Sequence, residues 1–123
     1  MKGYKKYHQL VKILREHLPL AYPVTVKRVK MKKNDGTCSK SGKKFFIDID
    51  RSLTQQMAIE TLLHEYAHAL AWSHRHDKMN DEELTRKQHD ATWGVAYSEV
   101  YRVFEQFYLE CYGPETPLKE PLP

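Results

Sequence analysis

Cysteine is nearly absent from this chain, with Cys38 and Cys111 the two among 123 residues. They stand far apart, without partners at Cys-x-x-Cys spacing, which excludes a disulfide framework and a cysteine-based zinc site and leaves ordinary reduced thiols. No run of about 18 apolar residues occurs, so no membrane span is expected. The Lys-rich start, Met1 to Lys6, lacks the apolar stretch of a secretory signal, and the expected location is cytoplasmic. Acidic residues are scarce in the first part of the chain. Up to Arg51 there are 4 Asp and Glu against 14 Lys and Arg, whereas from Ser52 onward there are 12 against 6. The net charge of +4 conceals this division. A basic N-terminal half could steer a polyanion such as nucleic acid to one side of the molecule. It could equally be a solvated face with edge-strand lysines that block sheet-to-sheet aggregation.

What is present is the composition of a soluble globular domain, 41% hydrophobic and 29% charged. One stretch stands out, Thr61-Leu-Leu-His-Glu-Tyr-Ala-His-Ala-Leu70. Within it, His64-Glu65-Tyr66-Ala67-His68 fits His-Glu-x-x-His, the spacing that on a helix makes a zinc-peptidase site. Residues four apart lie one above the other on a helix, so His64 and His68 can each offer a ring nitrogen to one metal ion at roughly 2.0–2.1 Å. Glu65 sits beside that ion, where it can take a proton from an activated water and pass it to a leaving amine. At about 100° per residue, Glu60, Thr61, His64, Glu65 and His68 fall within an arc of roughly 140°. The remaining circumference from Ala58 to Leu70 is apolar. A helix buried this fully must bring its narrow polar stripe against something polar.

The flanking chain reads as an α+β domain over residues 1–112, followed by a loose tail over 113–123 that holds four of the six prolines. Tyr4 to Leu18 carries Tyr7, Leu10, Val11, Leu14 and Leu18 at helical spacing, and this N-terminal helix is expected to pack on the sheet that follows. Val24 to Lys32 alternates as a strand, but Val24 and Val26 are out of phase with Val29 and Met31, which predicts a bulge near Lys27-Arg28. Turn signals at Asn34-Asp-Gly36 and Ser39-Lys-Ser-Gly42 predict a hairpin or short meander. Lys43 to Asp50 is then a strand with Phe45, Ile47 and Ile49 on one face and Phe46 with Asp48 on the other. The sheet is expected to be small and mainly antiparallel. Ser52-Leu-Thr-Gln55 fits a capping box with Ser52 as N-cap, starting the motif helix at about Leu53 and ending it near Trp72 or His74. Ser73 to Arg86 reads as a polar loop containing His74, His76 and Asp77.

A C-terminal helix runs from Lys87 or His89 to about Tyr108, with Trp93, Ala96, Val100, Val103, Phe104 and Phe107 as its apolar stripe. His89 lies within about 60° of every member of that stripe and so faces the core. A catalytic zinc takes three protein ligands and leaves a fourth position for water, which makes His89 the preferred third ligand. Glu82, Glu83 or Glu99 in its place is the alternative. His74 and His76 follow the motif helix too closely to fold back onto it easily.

With these residues in place, the chain resembles the SprT-like zinc metallopeptidases, including small members that consist of little beyond the peptidase domain. The resemblance rests on Phe45-Phe-Ile-Asp-Ile-Asp50, Leu63-His-Glu-Tyr-Ala-His-Ala-Leu70 and His89-Asp-Ala-Thr-Trp-Gly94, and covers most of the chain. It implies a minimal zincin-like fold holding one Zn2+ per chain. The third ligand would be a histidine opening the helix after the loop, with an aromatic residue a few positions on, a place filled by His89 and Trp93. Asp90 stands where the family often has Gly, and the C-terminal zinc ribbon of many cellular members is missing. Some members are implicated in degrading proteins crosslinked to DNA.

The expected function is hydrolysis of peptide bonds at a His64, His68 and His89 zinc site, with Glu65 as general base and acid and a protein or peptide as substrate. Tyr97 and Tyr101 are candidates to stabilise the oxyanion. Two rivals stand beside it. One is a zinc-bearing DNA- or protein-binding module with little turnover, and the other is a metal-free helical interaction protein whose histidines belong to the core.

Overall fold

The computed structural model describes residues 5–75 and 91–108. In chain order these form α1 (Lys5–His17), β1 (Val24–Val29), β2 (Gly36–Ser41), β3 (Lys44–Asp50), α2 (Gln55–Arg75) and α3 (Ala91–Val103). A π-helical turn, Phe104–Tyr108, continues α3. Three helices and one small mixed sheet make the fold α+β, as expected.

The sheet corrects one expectation. Its order is β1-β3-β2, and only β2 and β3 pair antiparallel, from Gly36 opposite Ile49 to Ser41 opposite Lys44. Gly42 opens their two-residue loop at a φ of 61°, the left-handed region that matches the turn to the strand twist. β1 pairs parallel to β3, with Val24 opposite Phe45 and Val29 opposite Asp50. The sheet is therefore mixed rather than mainly antiparallel. The hairpin signal was local, but where β1 docks is settled by the core: the second strand of the hairpin inserts beside it and brings Phe45, Ile47 and Ile49 into the interior.

The bulge near Lys27-Arg28 is also absent, since the pairing of β1 is continuous from Val24 to Val29. Val24 and Val26 face the helices, and the next inward position is Arg28. Its guanidinium donates to the carbonyls of Asp50 and Leu53 at 3.0 and 3.3 Å and lies 5.2 Å from the Tyr7 ring centroid. A cation with carbonyl partners takes the place an apolar residue would have held, so the alternation never breaks.

α1 buries Tyr7, Leu10, Ile13 and Leu14, and packs mainly on α2, α3 and the turn after α3 rather than on the sheet. α2 holds it at both ends. Gln55 Oε1 accepts from the first-turn N–H groups of Lys6 and Tyr7 at 3.0 and 3.2 Å, while Tyr66 donates its hydroxyl to the Leu18 carbonyl at 2.7 Å. The capping box is thereby corrected. Thr54 is the N-cap of α2, its Oγ1 accepting from Met57 N–H at 3.2 Å. Ser52 instead donates to the Asp50 carboxylate through both its N–H and its hydroxyl.

α2 is the central element. Ala58, Ile59, Leu62, Leu63, Tyr66, Ala67, Ala69 and Leu70 are all buried, as the periodicity required. No helix among the described residues is long and apolar enough to cross a membrane.

Candidate metal centre

The narrow polar stripe of α2 forms the floor of a cleft between β2 and α3. His64 and His68 are half-buried on it, one turn apart, with their Nε2 atoms 3.3 Å from each other. Two nitrogens each about 2.0–2.1 Å from a tetrahedral ion stand about 3.3–3.4 Å apart, so these imidazoles already have the spacing of a chelating pair. Glu65, the next position round the helix, is 9% exposed. Burial alone pushes its carboxyl up to about 7.

On the α3 side, the Trp93 ring lies 5.2 Å from His64 and 5.6 Å from His68, centroid to centroid. Tyr97 stacks on Trp93 at 5.0 Å and an interplanar angle of 11°, and its ring lies 6.5 Å from His64. Tyr101 follows one turn on, 5.9 Å from Tyr97. Burial raises the Tyr97 phenol, and the nearby Tyr101 and Glu60 raise it further. The sequence had assigned Trp93 to the apolar stripe of this helix, where Ala96, Val100, Val103 and Phe104 are indeed buried. Trp93 itself is half-buried and rests on the histidines.

On the β2 side, the strand comes against α2 at Gly36, where an added Cβ would stand 2.6 Å from Thr61 Cγ2. Periodicity had marked Gly36 only as part of a turn. Two residues on, Cys38 faces the same way. Burial, with the Glu65 carboxylate adding to it, pushes its thiol up to about 12, which makes it an inert neighbour of the stripe rather than a nucleophile.

His89 lies outside the described residues, as do Glu82, Glu83, His76, Asp77, Cys111 and the tail over 113–123; for His74 only its place in α2 is described. Among the described residues no third His, Cys, Asp or Glu joins His64 and His68 in a group able to hold a metal ion. Glu99, the described member of the glutamate alternative, is therefore not beside them.

This frame is that of a small α+β domain with two histidines paired on its central helix. The family follows from comparison with known proteins: the model of the SprT-like family matches residues 4–113, and the chain belongs to that family. No curated protein and no solved structure matches it.

Proposed function

We propose that this protein is a zinc-dependent metallopeptidase, with His64, His68 and His89 as ligands and Glu65 as general base and acid. The observation that carries this reading is the pair of imidazole nitrogens held 3.3 Å apart, on a buried helix whose next side chain is the carboxyl of Glu65. A zinc ion bound there would polarise a scissile carbonyl and acidify a water. The chain's own groups do the rest. Glu65 takes the proton of the attacking water on a carboxylate oxygen and delivers it to the departing amine nitrogen. Tyr97, whose ring lies 6.5 Å from that of His64, is the candidate to donate its phenol to the developing oxyanion.

β2 supplies the means of holding a substrate. It is an edge strand of the described sheet and flanks the polar stripe of α2 at Gly36, so an extended polypeptide can add to it as a further strand. Backbone pairing of this kind positions the peptide whatever its side chains are.

The test is zinc stoichiometry of the wild type and His89→Ala, with loss of a denatured protein substrate followed in parallel for Glu65→Gln. The expected result is one zinc per chain, bound more weakly in His89→Ala. Glu65→Gln should keep the metal and lose about 10²–10⁴-fold in turnover. Zinc held normally by Glu65→Gln with biological function intact would instead favour the binding module, and protein free of zinc would overturn the enzyme.

A further inference from the structure

The two ends of the cleft carry opposite charge. One turn beyond His68, Trp72 forms an aromatic corner with Tyr22 and the buried Phe45, its ring centroid 5.5 and 5.4 Å from theirs. Lys40 of β2 closes this corner. Its ammonium lies 5.0 Å from the Trp72 centroid and 5.9 Å from that of Tyr22, and donates to the Gly42 carbonyl at 3.0 Å. The Lys44 ammonium of the adjoining strand lies instead 5.6 Å from the Phe46 ring, on the other face of the sheet.

At the other end, one turn before His64, Glu60 is exposed and accepts from Gln56 Nε2 at 2.9 Å. Tyr97 of α3 stands on this side, its ring 6.5 Å from that of His64 and 5.9 Å from that of Tyr101. The charge at this end is the Glu60 carboxylate. That at the corner is the Lys40 ammonium.

β2 runs from Gly36, beside Thr61, to Lys40, over Trp72. An extended chain pairing antiparallel to it, the slightly more stable of the two pairings, runs from the Lys40 end to the Glu60 end. At about 3.3 Å per residue, the stretch from Gly36 to Lys40 spans about four substrate residues. The two charged ends therefore reach only the residues next to the bond that is cut.

We infer that this cleft selects its substrates by charge order. Acidic or aromatic side chains on the N-terminal side of the scissile bond meet Lys40, Trp72 and Tyr22, and basic ones on the C-terminal side meet Glu60, Tyr97 and Tyr101. The tyrosine faces add cation–π attraction to the charge of Glu60, and the tryptophan face stacks on an aromatic residue while Lys40 pairs with a carboxylate. The inference rests on the peptidase reading, but it concerns binding and can be tested without turnover.

The experiment uses the zinc-treated full chain carrying Glu65→Gln and two labelled ten-residue peptides of equal composition, one with Glu before Lys and one with Lys before Glu. The Glu-before-Lys peptide should bind more tightly. Lys40→Glu and Glu60→Lys should each erase about two- to fivefold of the difference, the range of a partly exposed ion pair. Thermal melting of each variant confirms that it is folded. Cleavage sites of the wild type in a mixed peptide pool give a second readout, with Asp, Glu or aromatic residues enriched before the cut bond and Lys or Arg after it. Equal binding of the two peptides overturns the inference. Charge-blind cleavage sites overturn it while leaving the peptidase intact, and ordered binding without any cleavage overturns the peptidase instead. If Lys40→Glu abolishes binding of a single-stranded oligonucleotide but leaves both peptides unaffected, the corner is a nucleic-acid site and the charge order falls.

Discussion

At the scale of single residues, Gly36 is the position where absence of a side chain decides most. A methyl group there would stand 2.6 Å from Thr61 Cγ2, 3.1 Å from the Asp48 carbonyl oxygen and 3.2 Å from Ile49 Cδ1. Two of those neighbours belong to the sheet itself, so only the Thr61 side of the clash can be relieved by a second change. Gly36→Ala is expected to lose about 1–3 kcal/mol of stability in urea unfolding, the range for overpacking. Thr61→Ser, which removes Cγ2, should restore part of that loss in the double variant, with a coupling of about 0.5 kcal/mol or more. Strict additivity of the two changes would show that β2 does not press on α2 at this point. His64, Glu65 and His68 were legible beforehand because their relation is a spacing along one helix. Gly36 was not, because its reason is a residue 25 positions away.

Among the secondary-structure elements, α2 is both the carrier of the polar stripe and the clamp on α1. Gln55 was read as part of its own helix's cap, yet its Oε1 accepts two N–H groups of α1, Lys6 and Tyr7. Orphan donors at a helix start need an acceptor wherever one can be found, and tertiary packing put Gln55 closer to α1 than to its own first turn. Gln55→Ala should therefore speed hydrogen exchange at the Lys6 and Tyr7 amides, while Thr54→Ala costs about 1 kcal/mol at the start of α2. Unchanged exchange at those two amides would remove the clamp. At the other end, Tyr66→Phe deletes the hydrogen bond to the Leu18 carbonyl and should cost about 0.5–1.5 kcal/mol in thermal or urea unfolding. Tyr66 occupies one of the two variable positions of the His-Glu-x-x-His pattern, which ties the placement of His64 and His68 to the docking of α1.

For the molecule as a whole, metal and fold should be thermodynamically linked if the proposed centre is right. Zinc that binds the folded chain alone raises stability by about 2.7 kcal/mol when its free concentration is 100 times Kd. Melting should accordingly rise with added zinc and fall back on chelation, and His64→Ala should abolish the response. A melting temperature indifferent to zinc would rule the centre out. The sequence by itself determined what lies within one element: the buried circumference of α2, its narrow polar stripe, and the inward face of Phe45, Ile47 and Ile49 on β3. Period and spacing are properties of a single helix or strand and survive in a one-dimensional reading. Only the tertiary structure decided that β1 runs parallel to β3, that Arg28 turns inward in place of a bulge, and that Gln55 serves α1. It also decided that Lys40 of β2 comes over Trp72, two turns of α2 beyond His64. Those relations join residues from different elements, and they are set by which surfaces exclude water together rather than by any local pattern.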